Sequence, residues 1–166
     1  MVIRPGRYDD IEKLIEMGER MHKESAYAFL PFDRDKVRRL MISYINDHET
    51  QCGLVAEEGG VVVGMFAGYL SDYFFCDEKV ACDIILYVDR EHRGSSAAVR
   101  LVRGFCNWAR ERGAREICLG VSTEINPRTT GRFYEKMGLS YSGSLYKQRL
   151  SHSSELVTDC GGGRVC

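Results

Sequence analysis

The spacing of apolar residues along the chain changes several times between a strand pattern and a helix pattern. Five runs of strand length are rich in β-branched and aromatic residues, and they lie at residues 2–4, 52–57, 61–70, 79–88 and 116–121. The sequence Glu58-Gly59-Gly60 separates the second run from the third and predicts a β-hairpin. Two further short strands are predicted at residues 139–141 and 145–148.

Four other segments place their apolar residues on one face of a helix. Asp9 or Asp10 can cap the first helix, and Asp33 can cap the second. The apolar positions of the first are Ile11, Leu14, Ile15 and Met21, and those of the second are Val37, Leu40, Met41, Tyr44 and Ile45. The third helix has Ala97, Ala98, Leu101, Val102, Phe105, Trp108 and Ala109, and the fourth spans residues 129–137, with Gly138 as its C-cap.

The order of these elements predicts an α/β fold with a mixed sheet flanked by helices. The chain has 166 residues and no internal repeat, so we expect residues 1–150 to form a single domain. The segments at residues 25–31 and 71–78 are predicted to be loops rich in aromatic side chains. From residue 151 onward the composition is Ser, Gly and polar residues, which predicts a flexible C-terminal tail over residues 151–166.

Charge and cysteine content narrow the function classes. The chain has 23 Lys plus Arg and 24 Asp plus Glu, a balance that gives no reason to expect a nucleic-acid or polybasic membrane surface. No apolar run is long enough to span a bilayer, and the first residues lack the apolar core of a signal peptide. The seven cysteines include no Cys-x-x-Cys pair, so buried reduced thiols are expected, and no metal site. Together these features predict a cytoplasmic protein.

The strongest chemical signal lies between the strand at residues 79–88 and the third helix. Residues 93–98 there read Arg-Gly-Ser-Ser-Ala-Ala. The first N–H groups of a helix have no internal partners, and the helix dipole favours an anion beside them. The small side chains allow a phosphate to approach these groups, and Arg93 adds a positive charge. This segment therefore predicts a phosphate-binding turn.

A second motif follows the fifth strand: Asn126 precedes an aromatic-Tyr-Glu-Lys-x-Gly run at residues 133–138. With residues 93–98, this order of motifs resembles the GNAT (Gcn5-related N-acetyltransferase) superfamily over about the first nine-tenths of the chain. The family's first motif is Arg or Gln-x-x-Gly-x-Gly or Ala, and Ser96 replaces a glycine of that pattern. The gap between Asn126 and Tyr134 is about one residue longer than the family's, and Pro127 interrupts it.

The resemblance implies a mostly antiparallel sheet, acetyl-CoA as co-substrate and no metal. It implies that the backbone of Leu86, Tyr87 and Val88 pairs with the pantetheine arm of CoA, and that an N–H near Val88 polarises the thioester carbonyl. The phosphates would bind at the backbone N–H groups of Gly94, Ser95, Ser96, Ala97 and Ala98, beside Arg93. Asn126 is the remaining residue expected to bind the cofactor. Tyr134 resembles the family's general acid, which gives a proton to the leaving thiolate. Family members are often dimers, so a homodimer is also expected.

The sequence does not single out one general base or one acceptor site. Asp83 lies in an apolar strand that would raise the pKa of its carboxyl, which makes it a candidate base. A water chain, Glu57, Asp72 and Asp77 are alternatives. The two aromatic loops are predicted to frame the acceptor, with Tyr27, Phe29, Asp72 and Tyr73 as the contacting residues.

The function implied is an acetyl-CoA-dependent N-acetyltransferase. It would move an acetyl group to a primary amine of a small molecule or a peptide by direct attack in a ternary complex. The alternative is a non-catalytic module that binds acyl-CoA as a sensor or regulator. A binding module would hold acetyl-CoA without releasing free CoA in the presence of an amine.

Overall fold

Five strands form one mixed sheet, in the order β1-β2-β3-β4-β5, in this computed structural model, which describes residues 1–150. The strands are β1 (Val2–Pro5), β2 (Gln51–Glu58), β3 (Val61–Tyr73), β4 (Cys76–Val88) and β5 (Glu116–Cys118). Neighbouring strands are antiparallel except β4 and β5, which are parallel. The predicted α/β class with a mixed, mostly antiparallel sheet is confirmed. The tail predicted at residues 151–166 lies outside the described residues.

Four helices cover the two faces of the sheet. They are α1 (Ile11–Glu24), α2 (Arg34–Asn46), α3 (Ala97–Glu111) and α4 (Pro127–Lys136). Short 3₁₀ turns at Tyr8–Asp10 and Arg90–His92 precede α1 and the loop before α3. The Asp33 carboxylate accepts the Lys36 N–H at 2.9 Å, which confirms it as the cap of α2. Asp10 precedes α1 without capping it, because its carboxylate accepts the Arg7 N–H at 2.8 Å and two N–H groups of Arg4.

Each face of the sheet buries its own hydrophobic cluster. On one face, Leu101 and Phe105 of α3 are fully buried, and the Phe105 ring packs 4.5 Å from that of Phe66 of β3. On the other face, Ile15 and Met17 of α1 pack with residues of α2, β2 and β3. Burial of these side chains is the main source of stability, at about 1.5 to 3 kcal/mol each before entropy is counted. The sheet is therefore a rigid platform between two helical layers.

The prediction of a loop at residues 71–78 is wrong. β3 and β4 both continue through this segment and leave only Phe74 and Phe75 in the turn. The extension has no apolar alternation, because this end of the hairpin projects beyond the core and most of its residues are exposed. Cross-strand pairs stabilise it instead, including Lys79 Nζ to Asp72 at 2.9 Å.

Two predictions about the C-terminal half are also wrong. β5 ends at Cys118 and not at residue 121, because the chain then leaves β4. No strand forms at residues 139–141 or 145–148. Two side chains of this segment instead bind the loop after β5 and the loop after α1: Lys147 Nζ donates to Ser122 O at 2.8 Å, and Arg149 to Ala26 O at 3.0 Å.

Candidate active site

The parallel pair β4 and β5 separates partway along its length and opens a groove. Pairing covers only Val80–Cys82 and Glu116–Cys118. Beyond this point a cavity of about 400 Å³ lies between residues 83–88 on one side and 120–123 on the other. The starts of α3 and α4 close its ends. We call this cavity the splay groove.

A β-bulge lies in β4 where the groove begins. Ala67 of β3 pairs with Ile85, while Gly68 pairs with Asp83, so Ile84 has no partner on β3. Bulges bend a strand and are frequent beside active sites. Leu86, Tyr87 and Val88 follow, and they pair with β3 on one edge only. Among the described residues no strand pairs with their other edge, so an extended ligand has room to bind there.

The turn before α3 presents backbone N–H groups at one end of the groove. Gly94 has a φ of 87°, a left-handed conformation that a residue with a Cβ adopts only at a cost. Ser95 N–H donates to His92 O, and Ala97 N–H donates to the Ser95 hydroxyl. Within residues 1–150 no acceptor is recorded for the N–H groups of Gly94, Ser96 or Ala98. Such free donors at a helix start suit a phosphate.

Arg93 is more constrained than the sequence suggests. Its guanidinium donates to Glu24 at 2.8 Å and to Val88 O at 3.1 Å, and it lies 5.4 Å from the centre of the Tyr87 ring. Burial alone would raise the pKa of Glu24, but hydrogen bonds from Arg93 and Arg90 outweigh burial and lower it. Glu24 therefore stays ionised and neutralises part of the positive charge of Arg93, which was expected to attract the phosphates.

Of the ten predicted cofactor residues, eight line the splay groove: Leu86, Tyr87, Val88, Arg93, Gly94, Ser95, Ala98 and Asn126. Ser96 and Ala97 do not line it. The Ser96 hydroxyl lies 3.7 Å from the Met1 sulfur, and Ala97, the first residue of α3, is fully buried. The backbone N–H of Ser96 still has no acceptor within residues 1–150, whereas that of Ala97 already donates to the Ser95 hydroxyl.

Tyr134 and Asp83 meet at the start of the groove. Tyr134 is only 7% exposed, and it lines the groove. Burial raises the pKa of Tyr134, and the nearby charge of Asp83 adds to the shift. The phenol is therefore protonated at neutral pH, as a proton donor must be.

Asp83 bridges the point where β4 and β5 separate. Its Oδ1 accepts the Gly120 N–H at 2.7 Å, a side-chain bond where the strand pairing has ended. Burial raises the pKa of Asp83, and the bond from Gly120 opposes this effect only in part. A carboxyl with a raised pKa in a groove is the kind of group that accepts a proton in catalysis. The other candidate bases are elsewhere: Glu57 binds Arg4 at 2.7 Å, and neither it nor Asp77 lines the groove.

Asn126 sits at the junction between the loop after β5 and α4. It adopts a left-handed conformation with a φ of 49°, and its carbonyl accepts the N–H groups of Thr129 and Thr130. Pro127 begins α4, a position where its missing N–H costs nothing. The proline therefore starts the helix and does not interrupt the motif, and the Asn126 side chain lies along the groove wall.

The predicted acceptor residues are not brought together. Asp72 binds Lys79, and the Tyr73 hydroxyl binds Glu116, both on the part of the hairpin beyond the groove. Phe29 is 57% exposed and does not line the splay groove. The Arg149 guanidinium lies 4.2 Å from the centre of its ring. Tyr27 alone lines a cavity near the site, with Lys147 4.9 Å from its ring centre. The prediction of an acceptor site between the two aromatic loops fails, because the second segment is a strand hairpin.

A second cavity adjoins the splay groove and was missed from the sequence. This cavity of about 160 Å³, which we call the apolar pocket, lies between α1, α2 and the bulge of β4. It is lined by Gly18, Met21, His22, Ser25, Tyr27, Phe32, Val37, Leu40, Met41, Tyr44, Ala67, Ile84 and Ile85. The sequence assigned most of the α2 residues to the core. The sequence feature that could have indicated the pocket is Leu40, because it widens the apolar face of α2. In the structure Leu40 is 39% exposed.

The comparisons with known proteins agree with this geometry. Residues 16–139 match the acetyltransferase (GNAT) family, and the chain belongs to that family. A probable N-acetyltransferase family 8 member 5 of Mus musculus is 33% identical over 101 residues, which is 61% of this chain and 43% of that protein. The chain thus spans less than half the length of this curated relative.

Solved structures share the fold at low sequence identity. Glucosamine-6-phosphate N-acetyltransferase from Arabidopsis thaliana superposes with a TM-score of 0.70 at 18% identity, covering 90% of this chain and 98% of that one. AAC(6')-Iy in complex with the bisubstrate analogue CoA-S-monomethyl-acetylneamine gives a TM-score of 0.72 at 15% identity, covering 91% and 98%. These likenesses confirm the fold class.

Three further observations concern the described residues. No helix within residues 1–150 is both long and apolar enough to cross a membrane. No cluster of three or more His, Cys, Asp or Glu side chains suited to a metal occurs in this part of the chain. The five cysteines of the same region are free thiols.

Proposed function

We propose that this protein transfers an acetyl group from acetyl-CoA to a primary amine by direct attack in a ternary complex. The observation that carries the proposal is the position of Tyr134. This nearly buried residue lines the same groove as the free edge of β4 and the free N–H groups before α3. A site built only to bind the cofactor has no need for a protonated phenol at that point.

The polar groups of the groove match those of the co-substrate. The N–H groups of Gly94, Ser96 and Ala98 would bind the pyrophosphate, with Arg93 as a partly neutralised neighbour. The free edge of residues 86–88 would pair with the amides of the pantetheine arm. An N–H near Val88 would polarise the thioester carbonyl and stabilise the negative charge that develops on its oxygen.

Proton transfers would involve Asp83 and Tyr134. The amine must lose a proton to become a nucleophile, and Asp83, directly or through water, is the carboxylate placed to accept it. The amine nitrogen then forms a bond to the carbonyl carbon, and the C–S bond breaks. Tyr134 gives its proton to the departing thiolate and recovers one from solvent. We also propose that the protein is cytoplasmic, because its free cysteine thiols suit that reducing compartment.

Thermal unfolding with acetyl-CoA, CoA and ATP tests the cofactor first. A ligand at a hundred times its dissociation constant adds about 2.7 kcal/mol, which raises the Tm of a domain of this size by about 5 to 10 °C. We expect this shift with acetyl-CoA and CoA and none with ATP. Ala98→Glu places a negative charge at the groove end of α3 and should abolish the shift, while a helix start tolerates the carboxylate itself.

Asn107→Glu is the matched control, because Asn107 is an exposed residue of the same helix outside the groove. It should leave the shift unchanged. Release of free CoA thiol with a panel of amines then separates an enzyme from a binding module. A thermal shift without thiol release from any amine would favour the acyl-CoA sensor, and the absence of any shift would contradict both functions.

A further inference from the structure

The proposed reaction leaves the apolar pocket without an occupant. It shares Met21, Ile84 and Ile85 with the splay groove, so the two cavities meet at the bulge of β4. Asp83 lies one residue before Ile84, and it lines the groove at the same junction. An acceptor whose nitrogen lies near Asp83 would therefore extend its remaining atoms over the bulge and into the apolar pocket.

The lining of the pocket restricts the chemistry of that occupant. Its walls are mainly the side chains of Phe32, Val37, Leu40, Met41 and Tyr44. None of its lining residues, all of which are described, is Asp, Glu, Lys or Arg. A second ammonium group placed there would lose its hydration and gain no carboxylate, which is strongly unfavourable. Polycationic acceptors therefore do not match this site.

The size of the pocket indicates how large the apolar group is. The cavity is about 160 Å³. Apolar cavities of about 150 Å³ in proteins take up a benzene-sized molecule. The pocket is thus large enough for one ring or a short branched chain.

We infer that the acceptor is a primary amine joined by a short linker to a single apolar group of about one ring, which binds in the pocket between α1, α2 and the β4 bulge. This inference rests on the proposed function. The reaction converts the amine and acetyl-CoA into an amide and free CoA: the C–N bond forms, the C–S bond breaks, and one proton moves from nitrogen to sulfur by way of Asp83, Tyr134 and solvent. No oxidant or metal is needed to balance it.

Steady-state kinetics with four small amines tests the inference. We expect kcat/KM for 2-phenylethylamine to exceed that for ethylamine and for ethanolamine by at least about tenfold, because an apolar pocket gains about this factor for each one or two buried methylenes. Spermidine, which carries three amines, should be the poorest substrate. Equal or higher kcat/KM for spermidine or ethanolamine would overturn the inference and leave the proposed function intact.

A variant at the rim of the pocket distinguishes the pocket from the reaction centre. Leu40 lines the pocket and is 39% exposed, so Leu40→Trp fills the cavity from outside without disturbing the buried core. It should lower kcat/KM for 2-phenylethylamine at least tenfold and change that for ethylamine by less than about threefold. Arg39→Trp is the matched control, because Arg39 is the neighbouring exposed residue of α2 outside the pocket.

Calorimetry gives a readout that does not depend on turnover. In protein saturated with CoA, 2-phenylethylamine should bind with a negative heat-capacity change, the mark of apolar burial, and Leu40→Trp should abolish this binding. If no amine releases thiol but this binding is seen, the proposed function fails while the pocket's specificity stands. If amines release thiol but 2-phenylethylamine binds Leu40→Trp and the unaltered protein with equal affinity, only the inference about the pocket fails.

Discussion

Tyr134→Phe removes one oxygen atom from the groove and keeps the buried ring that packs on the α3 face. Without its proton donor the thiolate must leave unprotonated or take a proton from water. We expect kcat at saturating acetyl-CoA to fall about 100-fold or more, which is the usual contribution of a general acid. The Tm shift with acetyl-CoA should persist. Tyr73→Phe is the control, because its hydroxyl binds Glu116 outside the groove, and kcat should not change.

Asp83→Asn tests the base through the pH dependence of kcat/KM. The pKa of Asp83 is raised above its ordinary 3.8 by burial, so activity should fall as the pH drops through this raised value. Asparagine does not titrate, and its oxygen can still accept the Gly120 N–H. We expect the variant to lose most of its activity, and we expect what remains to show no fall in kcat/KM at low pH. Asp72→Asn, on the exposed hairpin, should leave the profile as it was. An unaltered profile in Asp83→Asn would assign the proton transfer to water.

Single residues were predictable from the sequence when local chemistry decides their role. A glycine between a strand and a helix can adopt the positive φ that Gly94 has, and a small-residue turn predicts free N–H groups. Arg93 was not predictable in the same way. Its partner Glu24 is 69 positions away in the chain, so no local pattern shows that the guanidinium is already held. The same is true of the Gly120 N–H, which Asp83 accepts across 37 positions.

The contact between the β4 bulge and α3 depends on one glycine of β3. A Cβ at Gly68 would lie 2.6 Å from Phe105 and 2.7 Å from Cys82 O. We expect Gly68→Ala to lower the free energy of unfolding by about 1 to 3 kcal/mol, because neither the packed ring nor the backbone can move away. The bulge at Ile84 would shift with it, so acetyl-CoA affinity should fall too. Equilibrium denaturation with urea measures the first effect and ligand titration the second.

Gly131→Ala is the matched substitution in a helix. A Cβ at Gly131 meets no atom within 4 Å, and the residue lies inside α4. Alanine should therefore raise the free energy of unfolding by about 0.5 to 1 kcal/mol through backbone entropy. If Gly68→Ala left the free energy of unfolding unchanged or raised it, as Gly131→Ala should, the steric account of Gly68 would be wrong.

At the scale of elements, periodicity succeeded where burial is one-sided and failed where burial is absent. The helices α2 and α3 were predictable because one face of each packs on the sheet. The ends of β3 and β4 lie beyond the core, so their exposed residues have no apolar alternation to reveal a strand. The segment after Gly138 has the opposite problem. Its Tyr141 and Tyr146 suit a strand, yet both side chains are exposed and no strand forms there.

The molecule as a whole has two carboxylates that respond to pH in opposite directions. The pKa of Asp10 is lowered, chiefly by its hydrogen bonds from Arg4, while burial raises the pKa of Asp83. A lowered pKa stabilises the fold above the ordinary value of 3.8 and loses that contribution as the pH falls below it. A raised pKa does the reverse, so Asp83 costs stability as the pH rises through its folded value. The fold therefore holds a structural carboxylate before α1 and a candidate catalytic one in β4.

Asp10→Asn should remove the acid-sensitive part of the stability. Asp10 is 8% exposed, and Arg4 donates to it through two nitrogens, at 2.7 and 2.9 Å, so the variant should lose about 2 kcal/mol at pH 7. The difference should shrink as the pH falls below 3.8, because the unaltered protein then loses the same charge. Asp9→Asn, at the exposed neighbouring position, should change stability little. A difference that stayed constant as the pH fell would mean that the amide disturbs packing and that the ion pair contributes nothing, and denaturation at several pH values decides between the two.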